Sequence, residues 1–136
     1  MIKFKDKVVY IIGGSSGIGL ATAELLAARG ANIVIFARNR ERLDQAAIRI
    51  SSQLDSSEQN VAALQLDVSL HTDANRIMAT TVSQYGVPDI LIACAGRNYP
   101  NRFGEINYAQ LDETMKINFY GIWNTTSALV PYMKTK

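Results

Sequence analysis

Residues 8–19 read Val-Val-Tyr-Ile-Ile-Gly-Gly-Ser-Ser-Gly-Ile-Gly, and no other segment says as much about this chain. The first five residues are apolar and mostly β-branched, which predicts a buried strand. Glycines at positions 13, 17 and 19 predict a tight turn that lets the backbone approach a ligand. The residues after this turn have the spacing of a helix. The free N–H groups and the positive end of the helix dipole would therefore face the turn. The segment therefore predicts a site for a phosphate group.

The composition is that of an ordinary globular domain, with 136 residues of which 48% are apolar and 19% charged. A formal net charge of +2, with scattered basic residues, argues against nucleic-acid or membrane-surface binding. The single cysteine, Cys94, excludes an internal disulfide framework, and we expect it to be a small buried apolar residue. Without a spanning segment or a signal peptide, a cytoplasmic location is expected. No metal site is predicted.

Short β-branched runs alternate with segments of helical periodicity along the whole chain. The predicted strands are residues 7–12, 32–36, 61–66 and 90–93, and the predicted helices are residues 18–29, 40–54, 73–85 and 108–133. This alternation is typical of βαβ units around a parallel sheet. We therefore predict an α/β, Rossmann-type doubly wound sheet of order 3-2-1-4, with helices on both faces. A ligand is expected where the order reverses, at residues 13–19 and 93–96.

Apolar residues at three- and four-residue steps predict which faces of the helices are buried. In the first helix the predicted stripe is Ile18, Ala21, Leu25 and Ala28. In the long last helix it is Leu111, Met115, Phe119, Ile122, Leu129 and Met133.

Together these features resemble the short-chain dehydrogenase/reductase family. The spacing Gly13-x-x-x-Gly17-x-Gly19 is similar to the family fingerprint, although Ile12 stands where the family usually has threonine. The resemblance spans residues 7–133 and implies a nicotinamide-dependent oxidoreductase. Such an enzyme transfers a hydride between its cofactor and a carbonyl or hydroxyl group of a small molecule. Within the family the chain looks most like the 3-ketodihydrosphingosine reductases.

The residue after the second strand distinguishes NAD from NADP. An acidic residue there holds the ribose 2′-OH, whereas an arginine accommodates a 2′-phosphate. The acidic position of the family falls on Ala37, and Arg38 follows it, with Arg42 one helical turn further on. A guanidinium group can pair with a phosphate through two hydrogen bonds. The cofactor is therefore predicted to be NADP(H).

The resemblance implies roles for further residues. Asp67 and Val68, after the third strand, would lie near the adenine, and small residues at Ala95 and Gly96 would let the ribose approach. Asn118 matches a mid-helix asparagine that belongs to the proton relay of the family and bends its helix locally; it is the one predicted catalytic residue. The predicted cofactor-binding residues are Gly13, Ser15, Ser16, Gly17, Ile18, Gly19, Arg38, Arg42, Asp67, Val68, Ala95 and Gly96.

The serine and the Tyr-x-x-x-Lys pair of the family are expected after the long helix. Tyr132 and Lys136 have the right spacing but lie at the end of that helix, so we do not predict that they are catalytic. We expect residues 1–136 to be the NADP-binding, N-terminal portion of a longer single-domain reductase, inactive by itself. The full-length protein is expected to form a homodimer or homotetramer through the long helix.

Two other classes of protein fit parts of the sequence. A complete but non-catalytic nucleotide-binding module would have the same glycine turn. Gly13-x-Ser15-x-Gly17 also has the spacing of the nucleophile elbow of α/β-hydrolases, with Asp67 and His71 in the order of that fold. The elbow normally follows several strands rather than the first one, which disfavours a hydrolase with Ser15 as nucleophile.

Overall fold

A computed structural model of the chain describes residues 4–136. Its strands are β1 (Val8–Ile12), β2 (Asn32–Ala37), β3 (Val61–Gln65) and β4 (Ile90–Ala93). Its helices are α1 (Gly17–Ala27), α2 (Arg40–Ser51), α3 (His71–Tyr85), α4 (Tyr108–Met115) and α5 (Gly121–Lys134). A π-helical turn, Lys116–Tyr120, joins α4 to α5. Within residues 4–136, no helix is both long and apolar enough to cross a membrane.

The four strands form one parallel sheet in the order β3-β2-β1-β4. This arrangement confirms the predicted Rossmann-type fold, and each strand boundary lies within one residue of its prediction. The helix boundaries differ more. Helix α2 ends before the predicted residue 54, because the hydroxyl of Ser52 donates to the carbonyl of Arg49 at 2.6 Å and competes with helix continuation.

Strand β1 is buried on both faces and sends alternate side chains into two cores. Val9 and Ile11 pack with residues of α1 and α2, and Tyr10 and Ile12 pack with residues of α3 and α5. The helices thus form two outer layers around the sheet. This arrangement places the turn after β1 in the middle of the carboxyl edge of the sheet.

The predicted buried face of α1 is wrong. Ile18 and Leu25 are 80% and 54% exposed, whereas the helix buries the face that contains Gly19 and Leu20. The reason is a close approach of backbone to backbone, since a Cβ atom at Gly19 would lie 2.2 Å from the carbonyl oxygen of Gly13. This contact fixes the rotation of α1 about its axis, and an apolar period alone does not reveal it.

The predicted stripe of the last helix is correct only near its C-terminus. Leu129 is fully buried and Met133 packs against the same core. The other four predicted residues are each 44–61% exposed, and they are Leu111, Met115, Phe119 and Ile122. The π-helical turn widens the helix by one residue per turn, so the faces before and after it lose a common register. Ile117 is the residue of this turn that is buried.

Asp89 ties the start of β1 to the start of β4. One carboxylate oxygen accepts a hydrogen bond from the backbone N–H of Val8 at 2.9 Å. The other lies 2.9 Å from the ammonium group of Lys136 and 3.5 Å from that of Lys7. Burial raises the pKa of Asp89, but the hydrogen bonds from Val8 and Lys136 and the charges of both lysines together lower it below its ordinary 3.8.

We expect Asp89→Asn to lower the free energy of unfolding by about 1 kcal/mol at neutral pH. A carboxyl group whose pKa is lower in the folded state contributes stability above the unfolded pKa, and this contribution is lost as the pH falls through the folded pKa. Urea unfolding of the wild type and the variant between about pH 7 and about pH 3 should therefore show their difference shrinking in acid. A difference that stays constant over this range would contradict the prediction.

Candidate functional site

A cleft of about 420 Å³ opens at the carboxyl ends of β1, β2 and β4. It lies where the predicted strand order reverses, so the predicted location is correct. The turn after β1, the end of β2 and the loop after β4 form its walls. Most of the predicted cofactor-binding residues line it, namely Gly13, Ser15, Ser16, Gly17, Ile18, Gly19, Arg38, Arg42, Val68, Ala95 and Gly96.

Two glycines of the turn after β1 have positive φ angles but different surroundings. Gly13 has a φ of 80°, and a Cβ atom there would lie 2.6 Å from the backbone nitrogen of Ala95. This glycine therefore allows the turn to rest directly on the loop after β4. Gly17 has a φ of 53°, and a Cβ atom there would have no atom of the described residues 4–136 within 4 Å. A side chain at Gly17 would stand in the cleft, in space that the fold leaves open.

The N-terminus of α1 is open toward the cleft. Its N-cap residue, Ser16, makes no side-chain hydrogen bond to the first turn, and that turn contains no acidic residue. By contrast, α2 and α4 are capped by the side chains of Asn39 and Asn107. The first N–H groups of a helix have no acceptor within it, and the helix dipole adds positive potential there. The uncapped turn next to open space fits a diphosphate.

Two arginines stand at the β2 end of the cleft without an ion pair or side-chain hydrogen bond to another residue in the part of the chain that the structure describes. Arg38 lies in the bend after β2, where its backbone carbonyl accepts a hydrogen bond from Gln65 Nε2 at 2.7 Å. Arg42 lines the same end from the first turn of α2. Arg40, between them, pairs instead with Asp44 at 2.8 Å. The arrangement leaves two guanidinium groups available to an anion.

Asp67 does not line the main cleft. It borders an adjoining depression together with Arg38 and Arg76. Its Oδ1 atom accepts hydrogen bonds from the backbone N–H of Ser69 at 3.0 Å and from the Ser69 hydroxyl at 2.6 Å. This turn leads into α3, which begins at His71, two residues before the predicted start. One carboxylate oxygen of Asp67 stays available, and its adenine contact stays a prediction.

Asn118 holds the loop after β4 through its side-chain amide. Its Oδ1 atom accepts a hydrogen bond from the backbone N–H of Arg97 at 2.7 Å, and its Nδ2 atom donates to the carbonyl of Arg97 at 2.9 Å. Asn118 lies within the π-helical turn, where the resemblance implies a local bend. The amide thus supports the cleft wall formed by Ala95 and Gly96. A part in proton transfer stays a prediction.

The expectation of a buried Cys94 is wrong, because this residue is half-buried and lines the cleft. Strand β4 ends at Ala93, so Cys94 already belongs to the loop that faces the site. Sequence reasoning also missed Arg97, whose guanidinium lies 4.9 Å from the ring centre of Tyr99 at the rim of the cleft. Arg97 directly follows Ala95 and Gly96, which are predicted to line the site, and this position in the sequence could have indicated that Arg97 lines it too.

The residues that a hydrolase would need are not brought together. The ring of His71 makes hydrogen bonds with Asn124 at 3.1 Å and Asn75 at 3.0 Å, and the Asp67 carboxylate bonds Ser69. No Ser-His-Asp arrangement therefore forms around Ser15.

The Tyr132–Lys136 pair is also remote from the cleft. The Lys136 ammonium donates to the carbonyl of Val87 at 2.8 Å, and Val87 precedes β4. The lysine is thus at the amino edge of the sheet, whereas the cleft lies at the carboxyl edge. This placement separates Lys136 from the cleft and is consistent with the prediction that Tyr132 and Lys136 are not the catalytic pair.

The geometry agrees with a comparison against known protein families, in which the model described as short chain dehydrogenase matches residues 7–136. The chain belongs to the short-chain dehydrogenase family. It is 32% identical over 133 residues to an uncharacterised oxidoreductase of Staphylococcus epidermidis, covering 98% of this chain and 55% of that protein. It is 36% identical over 129 residues to 11-beta-hydroxysteroid dehydrogenase 1A of Arabidopsis thaliana, covering 94% of this chain and 36% of that protein.

Solved structures of this family are similar over nearly the whole chain. L-sorbose reductase from Gluconobacter frateurii, complexed with NADPH and L-sorbose, has a TM-score of 0.87 and 29% identity, covering 98% of this chain and 49% of that one. A short-chain dehydrogenase/reductase from Mycobacterium ulcerans has a TM-score of 0.89 at 22% identity, covering 97% and 48%. The chain thus spans about half the length of several of the relatives it matches.

Proposed function

We propose that this chain is the cofactor-binding portion of an NADP(H)-dependent oxidoreductase that transfers a hydride between NADPH and a small carbonyl or hydroxyl compound. The observation that carries this proposal is one cleft that combines an open turn at Gly17 with the guanidinium groups of Arg38 and Arg42, which have no side-chain partner among residues 4–136. Ala37 places no carboxylate where one would repel a 2′-phosphate. The NADPH complex of L-sorbose reductase supports the same cofactor.

Each wall of the cleft has its own part in this proposal. The N–H groups of residues 17–19 would hold the diphosphate, and Arg38 with Arg42 the 2′-phosphate. Val68 and Asp67 would border the adenine, and the small residues Ala95 and Gly96 would leave room for a ribose. The bound nicotinamide supplies the hydride chemistry, while this chain binds and orients it. Asn118 would contribute by keeping the loop after β4 in place.

Calorimetric titration of the intact protein with NADPH and with NADH tests the cofactor assignment. We expect NADPH to bind at least about ten times more tightly, the equivalent of about 1.4 kcal/mol. The proposal would be overturned if neither NADPH nor NADH bound. A complete but non-catalytic module is the second candidate, and it would bind NADPH without oxidising it in the presence of any carbonyl compound.

The substrate proposal follows from the resemblance and the relatives. We propose 3-ketodihydrosphingosine as the first compound to assay, since the chain looks most like reductases of that substrate. A ketosteroid and L-sorbose belong in the same panel, because the relatives include a hydroxysteroid dehydrogenase and a sugar reductase. NADPH oxidation measured with each compound ranks the three.

We also propose that the intact protein assembles as a homodimer or homotetramer through the outer face of α4, the π-helical turn and α5. Phe119 and Trp123 are 61% and 65% exposed on this face, and exposed apolar surfaces of this kind commonly mark interfaces. Trp123→Glu is expected to shift the protein to the monomer in light-scattering measurements. The control is Ile48→Glu, a position on α2 that is 72% exposed. An oligomer that survives Trp123→Glu would refute this interface.

A further inference from the structure

Asn124 is a buried polar residue that the proposed function has not used. It is 5% exposed and lies in α5, which packs against α3. A buried amide is costly unless its donor and acceptor are both satisfied. Its Nδ2 atom donates to the backbone carbonyl of Val68 at 2.8 Å, and its Oδ1 atom lies 3.1 Å from His71 Nδ1.

The orientation of this amide determines the proton position on His71. Because the NH₂ group of Asn124 faces a carbonyl, its oxygen faces the imidazole, and only an N–H at Nδ1 can satisfy that oxygen. The other ring nitrogen, Nε2, lies 3.0 Å from the Nδ2 atom of Asn75, which donates to it. The result is a chain of hydrogen bonds in which Asn75 donates to His71, His71 to Asn124 and Asn124 to the carbonyl of Val68, a residue that lines the cleft. Bonds aligned in this way strengthen one another.

Helix α5 also touches the side chain of Val68. Gly121 lies one helical turn before Asn124, and a Cβ atom at Gly121 would be 2.6 Å from Val68 Cγ2. Helix α5 therefore contacts Val68 twice. Asn124 binds the carbonyl of Val68, and Gly121 packs closely against the side chain of Val68. Val68 in turn lines the same cleft as Arg38.

We propose that Asn124 and His71 are positioning residues for the adenosine half of the cofactor. Asn124 fixes the carbonyl of Val68, and His71 fixes the amide of Asn124, so that the part of the cleft wall formed by Val68 stays at one distance from Arg38. This inference rests on the proposed function, since it concerns the end of the cleft that would hold the adenosine 2′-phosphate.

The test compares Asn124→Leu with Thr125→Val in the intact protein. Both replacements remove a buried polar group of α5 and keep the number of side-chain heavy atoms and their branching. Thr125 is fully buried, but its hydroxyl donates only to the carbonyls of Gly121 and Ile122 within the helix. Both variants are thus expected to lower the melting temperature, and only Asn124→Leu is expected to affect the cleft wall.

The binding readout uses NADPH and its adenosine half, adenosine 2′,5′-bisphosphate, in calorimetric titrations well below the melting temperature. We expect Asn124→Leu to weaken both ligands about tenfold, the equivalent of about 1.4 kcal/mol, and Thr125→Val to leave both near wild type. His71→Ala changes an exposed residue and is expected to weaken both ligands by a smaller factor. It replaces Asn124→Leu in this test if that variant does not fold. Wild-type affinity of Asn124→Leu, or of His71→Ala in its place, would overturn the inference.

A second readout needs no ligand. Amide hydrogen exchange of residues 66–70 should accelerate in Asn124→Leu and stay unchanged in Thr125→Val, because only the first variant releases Val68. Unchanged exchange in Asn124→Leu would contradict the positioning role. If the wild type binds no pyridine nucleotide, the proposed function fails, and this exchange measurement still decides whether Asn124 orders the wall.

Discussion

Gly17→Val is expected to weaken NADPH binding by at least about 100-fold, the equivalent of about 2.7 kcal/mol. A Cβ atom at this position would have no atom of residues 4–136 within 4 Å, and the residue lines the cleft beside the uncapped N-terminus of α1. The added side chain would enter the space proposed for the diphosphate. Fluorescence or calorimetric titration of the intact variant with NADPH measures the loss.

Strain of the backbone needs its own control, because a left-handed φ costs a residue with a side chain roughly 1–2 kcal/mol. Gly86 provides it, with a φ of 86° and no atom of the described part of the chain within 4 Å of its Cβ position. It lies at the end of α3, before β4, away from the cleft. With a ψ of 164°, Gly86 has a conformation that side chains avoid even more strongly than the left-handed one, so Gly86→Val should lose at least as much stability as Gly17→Val and still bind NADPH normally. Wild-type NADPH affinity in Gly17→Val would refute the role of the turn.

Arg38→Ala is expected to remove most of the preference for NADPH over NADH. The guanidinium of Arg38 makes no ion pair or hydrogen bond with another side chain of residues 4–136, so a 2′-phosphate would not have to displace a partner. Hydrogen bonds to charged groups contribute about 1.5–3 kcal/mol, which corresponds to a loss of about 10- to 150-fold. The Kd for NADH should change little, because NADH lacks that phosphate.

Arg40→Ala is the matched control for this measurement. Arg40 is two residues further along the chain, but its guanidinium pairs with Asp44 at 2.8 Å and it does not line the cleft. Its removal subtracts the same charge from the same region, so any general electrostatic effect is shared. Equal loss of NADPH affinity in both variants would show that Arg38 acts through charge alone. An unchanged ratio of NADPH to NADH affinity in Arg38→Ala would refute the assignment.

The glycine turn shows how much of the structure can be predicted from short segments of sequence. The apolar run before Gly13 and the helical spacing after Gly19 predicted a strand, a turn and a helix, and all three are present. The same reasoning failed for the rotation of α1, because Ile18 and Leu25 have apolar side chains at helical spacing yet face outward. Side-chain polarity predicts a buried face only where no backbone contact competes, and here the contact of Gly19 with Gly13 competes.

The last helix shows a second limit. The motif around Asn118 predicts a functional residue, and in the structure its amide holds the backbone of Arg97. The buried Asn124 was not singled out, because a polar residue in a helix ordinarily points to solvent. Its partners, His71 and the carbonyl of Val68, are 53 and 56 residues away in the chain. Hydrogen bonds between residues so far apart in the chain can be identified only from the tertiary structure.

The order of elements, the parallel sheet, the glycine turn and the basic residues after β2 were determined by the sequence itself. They depend on periodicity, on backbone freedom and on charge, which are properties of short segments. Only the tertiary structure decided which helix faces are buried, which arginines have no guanidinium partner among residues 4–136, and how α5 reaches Val68. The physical reason is that these features depend on contacts between segments far apart in the chain, where close packing and hydrogen-bond satisfaction outweigh local preference.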